Sequence, residues 1–299
     1  KYAKVNIVTN NIKDKRYGPG WAWEDYDSSF SAERSAFPMY GNVLTVQNKD
    51  SLAVQPAYYQ NKIKITNDFY GRDEHNNRFY FKQDRTSVTE IPMRIDAALT
   101  ASLWNTLLPQ NVSLLQSSAI KPTTMAYSVP SDSLYRRMME VSDNFLAEQI
   151  LILASSKLSD TLSSSRVRKY ILENQLKDLK QQPRWVDGSG LSRYNLFSPR
   201  SFVEVLTKLY TTIPQERLFN LFPVGGVFGT IKNWYAGEEQ PYVYAKTGTL
   251  RNNHSISGYV LTNSGKVLVF SFMNNHFKKS TNAVRMQMQQ VFEWLRDEY

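Results

Sequence analysis

The sequence predicts an α+β protein, and three observations predict it. Short runs of alternating apolar and polar residues, bounded by Asn, Asp, Gly or Pro, dominate roughly the first ninety residues. From Ser133 onward the apolar spacing becomes helical. Two strand-like runs joined by Asn263-Ser264-Gly265-Lys266 then precede an amphipathic C-terminal stretch, and a helix packed on an antiparallel hairpin is an α+β arrangement.

Each element follows from its residues. Val5 to Val8, Asn42 to Val46, Lys62 to Thr66, Arg78 to Lys82 and Ser87 to Pro92 are β-prone runs. Ile95, Leu99, Leu103 and Leu107 fall four apart on one helical face, with Asp96 near the start and Pro109 as the stop. Helices are expected over 134–140, 144–157, 166–180 and 201–211, and strands over 242–249, 255–262 and 267–273. Val284, Met288, Val291, Phe292 and Leu295 give residues 282–296 one buried stripe. The expected organisation is a mainly β-rich domain at 1–110, a Ser/Thr/Pro-rich connection at 111–132, and a helix-and-sheet body at 133–299.

Composition narrows the function classes. The chain has 299 residues, ample for a well-packed core, with 41% hydrophobic and 21% charged residues. It has no cysteine, so disulfides and thiolate metal sites are excluded. The formal net charge is +9, but the cations are scattered and form no run of five, which argues against nucleic acid as a partner. No apolar run approaches the ~18 residues of a membrane span. Residues 1–11 lack the apolar core of a signal peptide, and the absence of Met at residue 1 suggests a processed or trimmed chain.

Two short motifs carry chemistry. Lys246-Thr247-Gly248-Thr249 lies in a strand-like run, where an ammonium and a hydroxyl can hold a carboxylate. Gly248 leaves room for a ligand chain beside the strand, and N–H groups just beyond it can face a developing oxyanion. Ser142-Asp143-Asn144 precedes an apolar helix, a position suited to an N-cap and to a rigidly held hydroxyl and amide. Flanking segments accompany them in order: Gly18 to Asp25, Phe145 to Gln149, Asp187 to Ser192, Gly225 to Thr230, and Ala245 to Leu250.

Motifs and flanks together resemble the D-alanyl-D-alanine carboxypeptidase/endopeptidase family of low-molecular-mass class C penicillin-binding proteins, serine peptidase family S13. The resemblance runs from about Tyr17 to the C-terminus. It implies a β-lactamase/transpeptidase-like main domain with helices on an antiparallel sheet, incomplete at its N-terminus and carrying an inserted β-rich domain. It implies a bacterial periplasmic or envelope enzyme that cleaves peptidoglycan stem peptides ending in D-Ala-D-Ala through an acyl-enzyme, and that β-lactams acylate. By the same resemblance Ser142 relays a proton, Asn144 orients the substrate amide, and Lys246 and Thr247 hold the carboxylate. Gly248 keeps the strand open and the Thr249 N–H forms half of the oxyanion hole. No cofactor or metal is implied.

One part of the pattern is missing. The family's nucleophile stands in a Ser-x-x-Lys before the inserted domain. The chain's literal match is Ser118-Ala119-Ile120-Lys121, within the connection and followed by Pro122. Proline there opposes the helix that would put Ser118 and Lys121 on one face. The expectation is a chain inactive by itself, with apolar surface suited to self-association. The rival expectation is a non-catalytic peptidoglycan-binding or scaffold protein of the same fold. Other chemistries find less support. His75, His254 and His276 lack metal spacing, Gly188-Ser189-Gly190 is no nucleophile elbow, and Gly225 to Gly229 is no phosphate loop. Tyr17, Trp21, Trp23, Tyr26 and Phe30 suit a core cluster, or stacking on sugar rings.

Overall fold

The computed structural model describes residues 5–49, 51–108, 112–115, 124 and 126–299. In chain order the elements are β1 Val5–Ile7, β2 Val43–Asn48, β3 Leu52–Gln55, β4 Ile63–Thr66, β5 Gly71–Arg72, β6 Phe79–Lys82, β7 Thr89–Pro92, α1 Ala97–Leu107 and β8 Val112–Leu114. There follow α2 Ser131–Val141, α3 Asn144–Ala154, α4 Ser164–Asn174, α5 Pro199–Thr212, α6 Gln215–Leu221, β9 Val243–Leu250, β10 Asn253–Leu261, β11 Val267–Asn274 and α7 Thr281–Glu298. The chain forms two compact units that interleave in sequence, one from residues 1–126, 144–169 and 186–194, the other from 127–143, 170–185 and 195–299.

In the first unit, β2 lies between β3 and β7 in an antiparallel sheet, while β6 pairs parallel with β4 and antiparallel with β5. Leu44, Val46, Phe79, Phe81, Ile91 and Met93 alternate inward along these strands and meet Leu99 and Leu103 of α1. The Asp96 carboxylate accepts from the Leu99 N–H at 2.7 Å and caps α1. The helix closes at Leu108, whose extended backbone is what a residue before proline adopts.

In the second unit, β9, β10 and β11 form an antiparallel sheet with β9 at one side. Apolar residues occupy both faces, as a sheet covered on both sides requires. Val243, Ala245, Ile256, Val260, Phe270 and Phe272 pack on Val284, Met288 and Phe292 of α7. Tyr244, Tyr259, Val267 and Val269 pack on Leu206 of α5 and on Leu218 and Phe219 of α6. Gly258 is required here, since a Cβ would stand 2.1 Å from the Tyr244 carbonyl oxygen.

The elements foreseen in the sequence are present, with local differences. The short strands β3, β5 and β8 and the seven-residue helix α6 lack a full period of apolar residues, and alternation alone does not reveal them. The helix expected to reach 180 stops at Asn174, where the Leu176 N–H reaches back five residues to the Ile171 carbonyl and closes it. The expected aromatic cluster is no core: Trp23 is 73% exposed, Phe30 is exposed, and Tyr17, Trp21 and Tyr26 are half-buried.

Candidate active site

Ser142 sits at the joint between α2 and α3. Its N–H bonds to the Met138 carbonyl, and its backbone is left-handed, with φ 57° and ψ 48°. The Asp143 N–H bonds to the same carbonyl at 3.1 Å. Ser142 therefore closes the preceding helix, where the sequence suggested the start of the following one. The helical pattern of 134–140 extends to Val141, so only two residues remain to turn the chain before Asn144 opens α3. A left-handed residue does this, and serine holds it against its usual preference.

Strand β9 presents the second motif. Its outer edge is identified by hydrogen bonds from the Ala245 N–H to the Pro223 carbonyl and from the Gly225 N–H to the Val243 carbonyl. Backbone polarity alternates along a strand, so Thr247 and Thr249 aim their N–H groups toward that same edge, away from β10. The Lys246 ammonium donates to the Ser142 hydroxyl and, at 2.6 Å, to the Thr247 carbonyl. Burial lowers the Lys246 pKa to about 8. The Thr247 hydroxyl bonds to that of Thr230 at 2.8 Å. Gly248 is exposed, and a Cβ added to it would meet nothing within 4 Å. The Thr249 hydroxyl lies 2.8 Å from His254 Nδ1.

The structure thus brings Ser142 and Lys246 into one hydrogen bond, with Thr247, Gly248 and Thr249 continuing along the same strand. Asn144 belongs to the first unit, where its amide donates to the Phe30 carbonyl at 3.0 Å. In that unit three of the flanking segments, Gly18 to Asp25, Phe145 to Gln149 and Asp187 to Ser192, meet in one polar network around Glu148 of α3. Its carboxylate accepts from the Gly188 and Ser189 N–H groups at 2.9 and 2.8 Å and faces Arg34 at 3.4 Å. Arg34 is also held by the Lys15 and Tyr17 carbonyls, and Asp187 receives Trp21 Nε1 and the Ser192 N–H. Burial raises the Glu148 pKa, with Asp187 adding to the shift while the Ser189 hydrogen bond and Arg34 oppose it. Losing one partner of such a buried pair costs on the order of 3–5 kcal/mol.

A hydroxyl bonded to an ammonium whose pKa has fallen toward neutrality can relay a proton. An open strand edge with paired N–H donors can take the carbonyl oxygen of an extended ligand. Ser118 to Lys121 lies outside the described residues. No cluster of three metal-ligating side chains occurs among the described residues. His254 is the residue that sequence reasoning missed. It is fully buried in β10, which begins two residues earlier than expected, whereas His75 and His276 are exposed. The available signal was Asn252, which takes a positive φ of 62° in the two-residue turn after Leu250 and sets His254 opposite Thr249.

Comparison with known proteins gives a family and a fold. The carboxypeptidase DacB of Mycolicibacterium smegmatis is 31% identical over 191 residues, covering 60% of this chain and 41% of the relative. The D-alanyl-D-alanine carboxypeptidase DacB of Haemophilus influenzae is 29% identical over 158 residues, covering 50% of this chain and 33% of the relative. The chain therefore spans less than half the length of these curated relatives. The crystal structure of penicillin binding protein 4 (dacB) from Haemophilus influenzae shares the fold, with a TM-score of 0.77 at 22% identity over 98% of this chain and 75% of that one. The profile of the D-Ala-D-Ala carboxypeptidase 3 (S13) family matches residues 88–297, from β7 through both motifs into α7, and the chain belongs to that family.

Proposed function

We propose that the chain forms part of a serine-type D-Ala-D-Ala carboxypeptidase or endopeptidase. It acts on peptidoglycan stem peptides in the bacterial periplasm or envelope through an acyl-enzyme, and it is acylated by β-lactams. The observation that carries this reading is the hydrogen bond between Lys246 and Ser142, made within a chain of this family. Lys246 and Thr247 hold the substrate carboxylate. The Thr249 N–H stabilises the tetrahedral oxyanion, and Gly248 leaves space for the peptide. Ser142 passes a proton from the nucleophile toward the leaving amine, and Asn144 orients the scissile amide. Two features support these roles: the outward N–H direction of Thr247 and Thr249, and the empty space over Gly248.

The 299 residues alone do not turn over substrate in this reading. Their literal Ser-x-x-Lys is followed by Pro122, and a helix carrying nucleophile and base is not supplied by any other such sequence. Fluorescent penicillin tests both parts. The full gene product is expected to label covalently, and Lys246→Ala to slow labelling at least ~100-fold, as loss of a member of a proton-transfer set does. The 299-residue chain is expected to stay unlabelled. Equal labelling of wild type and Lys246→Ala overturns the site assignment, and labelling of the isolated chain overturns its inactivity.

A further inference from the structure

Register places Thr249, His254 and Asn274 in one row across β9, β10 and β11. Rows behind it on the same face are Thr247, Ile256 and Phe272, then Ala245, Gly258 and Phe270, and this face packs on α7. The apolar face therefore ends in a polar row. Within it, His254 Nε2 and Asn274 Nδ2 are buried and have no hydrogen-bond partner among the described residues. An amide N–H only donates. Of the two neutral tautomers, the one with a bare Nε2 sets an acceptor, not a second donor, opposite that amide in the register. A neutral ring with a bare Nε2 carries its proton on Nδ1, and the Thr249 hydroxyl oxygen at 2.8 Å then accepts it. Burial, with the Arg285 charge adding, holds the His254 pKa down to about 4, so the ring is neutral near neutral pH.

We infer that His254 is a positioning residue: as the Nδ1–H tautomer it donates to the Thr249 hydroxyl, pins that side chain against the inner face of the sheet, and so fixes the Thr249 N–H on the open edge of β9. The role rests on the proposed function, because it matters to chemistry only if that N–H receives an oxyanion. The place needs such a pin. Thr249 is one residue from the end of β9, next to a two-residue turn, where strand ends fray. A donor that stabilises an oxyanion works only if held in place beforehand.

The test is a double-mutant cycle on the second-order rate constant of penicillin acylation, using the full gene product. His254→Phe is expected to slow acylation ~10-fold or more, because a loosened oxyanion donor forfeits part of the ~10²–10³ that such a donor contributes. Thr249→Val is expected to do the same, and the double variant to be no slower than Thr249→Val alone. His254→Gln, which restores an N–H donor, is expected to recover part of the rate. In the wild type, ¹⁵N spectra of the imidazole are expected to show one tautomer protonated at Nδ1, a readout that needs no variant to fold. Independent, multiplying losses in the cycle, or a ring protonated at Nε2 or exchanging between tautomers, overturn the role of His254 while an acylating wild type leaves the proposed function standing. A wild type that penicillin does not acylate overturns both.

Discussion

Lys246 holds its ammonium away from solvent, and it donates to two neutral oxygens, the Ser142 hydroxyl and the Thr247 carbonyl. Desolvation therefore wins, and the pKa falls to about 8. The sign of the stability effect follows. Between about pH 8 and the ordinary lysine value of 10.5, the folded chain binds fewer protons than the unfolded one, so stability rises with pH across that window. A side-chain NMR titration is expected to find the Lys246 midpoint near 8. Ser142→Gly removes an acceptor that favours the charged form, so the midpoint is expected to drop further. The same variant relieves a left-handed serine, and Tm is expected to hold or rise by the equivalent of ~0.5–1 kcal/mol. A midpoint at the ordinary lysine value in the wild type would contradict the burial argument.

The sheet β9–β11 shows how two glycines in paired strands differ in kind. Gly258 faces the backbone of β9, and a Cβ there would overlap the Tyr244 carbonyl, so Gly258→Ala forces the strands apart. Gly248 faces open space, and the fold itself does not ask for a glycine there. Gly248→Ala is therefore expected to change unfolding free energy by no more than ~1 kcal/mol, toward stability if at all, while slowing penicillin acylation. Gly258→Ala is expected to destabilise by ~3 kcal/mol or more, in the range of overpacked cores. Chemical denaturation of both variants checks the contrast; equal destabilisation would mean that Gly248 serves packing. Strand β9 and its two motif hydroxyls were legible from the sequence because alternation and the Lys-Thr-Gly tripeptide coincide. His254 was not. Its role depends on the two-residue turn at Arg251-Asn252, which carries β10 back to Asn253 and brings His254 opposite Thr249.

Over the whole chain, the family and the α+β class were readable because motif order and flanks survive in linear sequence. The interleaving of the two units was not. It depends on contacts such as Arg34 with Glu148 and Trp21 with Asp187, which join residues 114 and 166 positions apart and leave no periodic trace. Three of the flanking segments, 18–25, 145–149 and 187–192, form a polar network around Glu148 within the first unit, whereas 225–230 and 245–250 belong to the second. At this scale the proposed site of acyl transfer is the pair Ser142 and Lys246 beside the open edge of β9. The most direct measurement is a crystal structure of the full gene product soaked with penicillin. A covalent adduct is expected whose carboxylate lies on Lys246 and Thr247 and whose carbonyl oxygen accepts from the Thr249 N–H. An adduct seated away from β9, with the Ser142 and Lys246 hydrogen bond untouched, would contradict that assignment.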